Sequence, residues 1–190
     1  MTRDALTAEI RAALERACPG SRTALLGSLA AGTADAYSDI DVEWIVPDDR
    51  FGAAVASAPA ILGEVRPVAD VRTDPDPRAG RLLFVRFAGV PLFWRLDLLV
   101  RTETGPEVST PDGEWSLPAS AMANAAGAVK AVRRGRPDDA RGLLDRGFAR
   151  IAEPVGATGD WPADIARLAR AAAVRDPRLA GLAEEIIALL

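Results

Sequence analysis

The spacing of apolar positions changes once along the chain. Up to about residue 100, short alternating runs are interleaved with two helical stripes; beyond residue 119 only helical spacing remains. Leu6, Ile10, Ala13, Leu14 and Ala17 recur at three- and four-residue intervals and share one face of a helix, which Cys18-Pro19-Gly20 stops. Residues 22–26 read as a short strand broken by Gly27-Ser28, and 29–35 as a tight turn of small residues. Residues 39–46 alternate, with Val42, Trp44 and Val46 on one face, and Pro47-Asp48-Asp49 ends the strand. A helix is predicted over 51–62, a strand over 65–71 and a loop over 73–80. Strands over 82–87 and 92–100 are joined as a hairpin by Ala88-Gly89-Val90-Pro91. The stretch 102–118 is a long polar connector with Pro106, Pro111 and Gly113, and connectors of that length are often functional or mark a boundary. Helices follow near 119–134, 138–152, 162–174 and 177–189, with sharp turns at 134–137 and 154–162. The expected class is α+β: a small mixed β-sheet core with helices over residues 1–117, then a C-terminal helical bundle over 118–190.

Composition narrows the chemistry. With 190 residues, 49% hydrophobic and 26% charged, the chain is long enough to bury a core and is not of the disordered type. It has no histidine, which excludes Ser-His-Asp and Cys-His triads and imidazole-based zinc sites. Cys18 is the only cysteine, so no disulfide forms within the chain. The net charge of −4 argues against nucleic acid as the main partner. No apolar run reaches membrane-spanning length, and Asp4, Glu9 and Glu15 interrupt the first twenty residues, so neither a membrane span nor a signal peptide is expected. A cytoplasmic location follows as an expectation. Lys130 is the only lysine in a chain rich in arginine, which singles it out.

The informative stretch is Gly27-Ser28-Leu29-Ala30-Ala31-Gly32 followed by Ser38-Asp39-Ile40-Asp41. On a strand, residues two apart point the same way, so Asp39 and Asp41 present two carboxylates side by side. Such a pair repels unless a cation lies between the two, and a hard divalent ion takes carboxylate oxygens together with substrate phosphates. Gly27-Ser28 sits at a turn where backbone approaches a phosphate closely and amides and a hydroxyl donate to it. A third carboxylate, Asp97, interrupts an otherwise apolar strand, which is costly unless it is paired or metal-bound. Three carboxylates can hold two metal ions and support in-line phosphoryl or nucleotidyl transfer.

This arrangement over roughly residues 22 to 100 resembles the polymerase-β-type nucleotidyltransferase superfamily, marked by Gly-Ser, a short spacer ending in Gly, Ser-Asp-x-Asp, and a later lone Asp on a strand. It is similar in particular to the small-molecule branch, the aminoglycoside-type adenylyltransferases, because helices follow the core. The resemblance implies that Gly27, Ser28 and Ser38 belong to the nucleotide cradle and that Asp39 and Asp41 ligate Mg²⁺. Asp97 would be the third ligand of a two-ion site or the catalytic base. Lys130, followed by Arg134-Gly135 and Asp139-Ala140-Arg141, would contact phosphate. Ala31 stands where many relatives carry a basic or aromatic residue, and Glu43 where an apolar residue is common.

Each residue also has a plainer reading. Asp97 would serve as the buried partner of Arg95 or Arg86, Glu43 as a salt-bridged strand residue, and Lys130 as a solvated helix lysine. Without histidine, a substrate hydroxyl must lose its proton to a carboxylate or on a metal, so Asp97 and Glu43 are the candidate catalytic bases. Residues 130 to 150 carry seven basic and three acidic side chains, and residues 35 to 49 carry six acids and no base. That asymmetry suits basic helices that neutralise a triphosphate beside an acidic site. Trp44, Trp94 and Trp115 are candidates to line an acceptor pocket, Trp115 foremost. The expected activity is Mg²⁺-dependent transfer of a nucleoside monophosphate, AMP from ATP, to a hydroxyl of a small polar acceptor such as an aminoglycoside-like antibiotic, releasing pyrophosphate. Two alternatives stand beside it: adenylylation of a partner protein, as by an antitoxin, and nucleotide binding without turnover. Whether a second copy completes the site as a homodimer stays open.

Overall fold

The alternation of Ile40, Val42, Trp44 and Val46 against Asp41 and Glu43 is met by a sheet with one apolar face. In a computed structural model, which describes residues 1–74, 80–105 and 116–190, five strands and seven α-helices form among the described residues. The chain divides into two units, Met1–Gly113 and Glu114–Leu190. Among the described residues, no helix is long and apolar enough to cross a membrane.

The first unit holds α1 (Arg3–Ala17), β1 (Arg22–Leu25), α2 (Gly27–Ala30), β2 (Ile40–Val46), α3 (Phe51–Val65), β3 (Val68–Thr73), β4 (Arg81–Phe87) and β5 (Leu96–Thr102). The strand order is β1-β2-β5-β4-β3, which puts β5 at the centre. Only β2 and β5 pair in parallel; the other three pairs are antiparallel, so the sheet is mixed. Leu6, Ile10 and Leu14 of α1 and Ala54, Ala58 and Leu62 of α3 form one core with the inward residues of β2, β4 and β5. Thr2 caps α1 by accepting from the Ala5 amide, and Asp4 lies in the first turn, where the helix dipole favours a carboxylate. Pro59 sits inside α3 and removes one backbone hydrogen bond, yet burial of Ala58 and Leu62 carries the helix on to Val65. The opposite sheet face is lined by half-buried residues, Asp41, Glu43, Phe84, Asp97 and Arg101 among them.

Several boundaries move from the sequence expectation. The strand predicted from residue 92 starts at Leu96, because the Trp94 amide turns back onto the Pro91 carbonyl at 2.9 Å. The strand predicted from residue 65 starts at Val68, since α3 claims residues through Val65. The small-residue turn begins as a single helical turn, α2. Within the predicted helix over 177–189, Pro177–Leu179 is 3₁₀ and α7 follows.

The second unit is helical: α4 (Leu117–Arg133), α5 (Pro137–Arg150), α6 (Trp161–Arg175) and α7 (Ala180–Ile187), which pack on one another. Gly147 of α5 leaves room for Leu168 of α6; a Cβ there would collide with the leucine side chain. The turn before α6 is tied down by Asp164. Its carboxylate is almost fully buried and accepts from the amides of Thr158 and Gly159 at 2.7 and 3.0 Å and from Arg167 at 3.2 Å. Burial opposes its charge, but the two amides, Arg167 and the Thr158 hydroxyl outweigh that cost and hold it below the usual carboxylate range. A lowered folded-state pKa adds stability above the ordinary carboxylate range, and that stability is lost as pH falls through the folded value. Replacing Asp164→Asn should therefore cost about 1–3 kcal/mol at neutral pH and distinctly less near pH 3. Urea unfolding at both pH values checks this; equal losses would mean that the carboxylate charge is not what holds the turn.

Candidate active site

Parallel pairing brings the predicted carboxylates together. Asp41 of β2 and Asp97 of β5 are register partners on adjacent strands, so their backbones lie about 4.8 Å apart and both side chains leave the same face. Asp39 lies just ahead of β2, half-buried, rather than within the strand as its alternation suggested. The Ile40 amide, between the two aspartates, donates to the Arg95 carbonyl at 2.9 Å, which locks the start of β2 to the start of β5.

Gly27 closes one side of this cluster. The Leu26 amide donates to the Asp41 carbonyl at 2.9 Å, and Gly27 has φ of +55°, a left-handed conformation that disfavours a side chain. A Cβ at Gly27 would strike Asp41 Oδ2. The glycine is needed both for its backbone angle and for the room it leaves beside the carboxylate. Ser28 follows, half-buried, and its carbonyl accepts from the Thr33 amide at 2.9 Å. Ser38 is buried; its hydroxyl donates to Asp35 Oδ1 at 2.9 Å and accepts from the Asp35 amide at 3.1 Å, folding the loop that leads into Asp39. Arg3 of α1 braces that loop through the carbonyls of Asp35 and Ser38, and Tyr37 meets Phe93 edge-on at 5.6 Å.

Arg95 sits at the middle of the carboxylates. Its Nε and Nη2 donate to the two oxygens of Asp97 at 2.6 and 2.7 Å, and Nη2 also stands 3.4 Å from Asp39 Oδ2. The plainer reading of Asp97 as the partner of Arg95 is thus realised in this geometry. The guanidinium also lies 5.0 Å from the centre of the Phe84 ring, whose residue is the β4 register partner of Asp97. Burial works against the charge of Arg95, but the Asp97 hydrogen bonds and the fields of Asp97, Asp39 and Asp41 prevail and raise it above the ordinary arginine range. Among the described residues, no group of three or more carboxylates is gathered closely enough to hold a metal ion by itself. The donor set is nevertheless the kind a hard divalent cation takes, and the absence of a side chain at Gly27 leaves room for the Asp41 carboxylate.

Glu43 follows Asp41 on the same face and pairs with Arg101 of β5. The Glu43 hydrogen bond, against a burial penalty, raises Arg101 above its ordinary range. Lys130 is half-buried on α4, in the second unit. Of the candidate tryptophans, Trp44 is wholly buried and donates to Ser21 Oγ at 2.9 Å, so it belongs to the core and not to an acceptor pocket. Trp94 packs against that core, and Trp115 lies outside the described residues. A groove of about 470 Å³ opens at the far end of β2, beside Asp48, Asp49 and Glu103, and none of the predicted site residues lines it.

Sequence reasoning missed Phe84 and Arg3. Phe84 was legible as the one aromatic on the polar phase of its strand, whereas nothing local marks Arg3, whose partners lie more than thirty residues away. Replacing Gly27→Ala should cost about 1–2 kcal/mol for the left-handed backbone alone. The cost should shrink by about 0.5 kcal/mol or more in an Asp41→Ala background, where the obstructing carboxylate is gone. Urea midpoints of the four proteins in this cycle test it; equal costs in both backgrounds would show that the glycine serves only the turn. In comparisons with known proteins, no family model matches the chain and no curated protein matches its sequence.

Proposed function

We propose that the chain is a Mg²⁺-dependent nucleotidyltransferase that moves a nucleoside monophosphate, AMP from ATP, onto a hydroxyl of a small polar acceptor such as an aminoglycoside-like antibiotic, with release of pyrophosphate. The observation that carries this reading is the juxtaposition of Asp41 and Asp97 as partners on the parallel strand pair, with Asp39 alongside and Gly27 pressed against Asp41. Asp39, Asp41 and Asp97 would hold the metal ions. Mg²⁺, when bound, supplies charge neutralisation at the triphosphate and a fixed orientation of its reacting phosphorus. Gly27 and Ser28, next to Asp41, would offer backbone and hydroxyl donors to the phosphate oxygens.

In the reaction, the acceptor hydroxyl oxygen forms a bond to the α-phosphorus while the bond from that phosphorus to the pyrophosphate oxygen breaks. The hydroxyl proton passes to a carboxylate, for which Asp97 and Glu43 are the candidates in a chain without histidine. The local excess of carboxylates favours a cationic acceptor. A second reading is supported by the Arg95–Asp97 pair itself: a protein that binds nucleotide without turnover, in which Asp97 is purely structural.

Mass spectrometry separates these readings. The protein, Mg²⁺, ATP and a panel of aminoglycosides are incubated beside an Asp39→Ala/Asp41→Ala double variant. A gain of one adenylate on a drug, lost in the double variant, is the expected result. Adenylate on the protein itself or on a co-expressed protein would transfer the reading to protein modification. ATP bound without any product, and bound equally by Asp97→Asn, would favour the non-catalytic reading.

A further inference from the structure

The guanidinium of Arg95 stands where a cation bridging Asp39 and Asp97 would stand. Its Nη2 alone reaches both carboxylates, 2.7 Å from Asp97 Oδ2 and 3.4 Å from Asp39 Oδ2, while Nε takes the other Asp97 oxygen at 2.6 Å. A magnesium ion shared by those two carboxylates needs oxygens at roughly 2.1 Å. It would compete with Nη2 for the same two carboxylates, and its charge would repel the guanidinium.

The surroundings let the side chain leave while the backbone stays. The Arg95 carbonyl is held by the Ile40 amide, so the main chain at this point is part of the sheet. The side chain retains 25% of its exposure, and those of Asp39 and Asp97 retain 26% and 17%, so water reaches all three groups. The Phe84 ring lies 5.0 Å from the guanidinium and continues to offer its face to the cation once the carboxylate is released. Without any cation, two carboxylates paired in register and a third beside them would repel one another. Arg95 supplies compensating charge to Asp97 and Asp39 from within the chain.

We propose that Arg95 is a tethered counter-ion of the carboxylate cluster, holding Asp39 and Asp97 together in the metal-free protein and exchanging with a divalent cation when one binds. This rests on the metal-binding reading above and adds to it a built-in competitor that sets the metal affinity. A residue that merely orients Asp97 for the metal would have the opposite effect when removed.

The test uses the full-length protein, stripped of metal and without nucleotide, titrated with Mn²⁺ while free Mn²⁺ is followed by electron paramagnetic resonance. Wild type, Arg95→Gln, Arg95→Lys and Asp39→Asn/Asp41→Asn are compared, with folding checked by circular dichroism. Removing the competing charge-assisted pair should tighten Mn²⁺ binding in Arg95→Gln on the order of tenfold. Arg95→Lys, which keeps the charge but not the fork, should fall between that variant and wild type. The metal-free Arg95→Gln protein should melt below wild type and recover on adding Mn²⁺. If Arg95→Gln does not fold without metal, Arg95→Lys against wild type decides the matter. Unchanged or weaker Mn²⁺ binding in the arginine variants, with binding still lost in the aspartate double variant, would overturn the counter-ion role and leave the metal site standing. Failure of wild type and arginine variants alike to bind Mn²⁺ would overturn the metal site and this proposal together.

Discussion

The parallel, in-register pairing of β2 with β5 is the constraint on which the candidate site depends. A one-residue slip of that register would send Asp97 to the apolar face and Leu96 or Leu98 to the polar one. Burial forbids it: Ile40, Val42 and Trp44 on one strand and Leu96, Leu98 and Val100 on the other are all excluded from water. The hydrophobic core thus acts as the ruler that sets two carboxylates side by side. The buried apolar face fixes that placement, and the arginines on the polar face offset its electrostatic cost.

Everything near the cluster can be understood as a response to the crowding of negative charge. Arg95 spans two of the aspartates, and Arg101 answers Glu43 one step further along the strands. Both arginines come from β5 or the residue leading into it, so the same strand that delivers Asp97 also delivers the compensating cations. Gly27 answers a steric demand in place of an electrostatic one, since any side chain there would meet the Asp41 carboxylate. The Asp35–Ser38 loop is held by its own hydrogen bonds and by Arg3, so Asp39 enters the cluster from a fixed position. Such prearrangement keeps the entropy cost of assembling charged groups out of any later binding step.

The second unit is held by different means. Small residues bring its helices together, as at Gly147 against Leu168, and the turn before α6 is closed by a buried aspartate with amide donors. Asp164 shows how a buried charge becomes favourable once its hydrogen bonds are complete, whereas in the first unit the carboxylates remain partly open to water.

Much of this was legible in the residues alone. The period-two alternation of β2 and β5 and the three- and four-residue stripes of α1 and α4–α6 are local properties, dictated by which side chains avoid water. So were the glycine before the paired aspartates and the oddity of a charge among leucines at Asp97. What the sequence could not determine was partnership. The pairing of β2 with β5, which builds the site, joins residues more than fifty positions apart, and it depends on which apolar faces bury each other in three dimensions. The short turn at Pro91–Trp94, which shortened β5, left Arg95 just outside the strand. Only tertiary structure decided that its guanidinium would bridge Asp97 and Asp39 over Phe84, because that choice rests on the local sum of charge, burial and reach and not on any pattern along the chain.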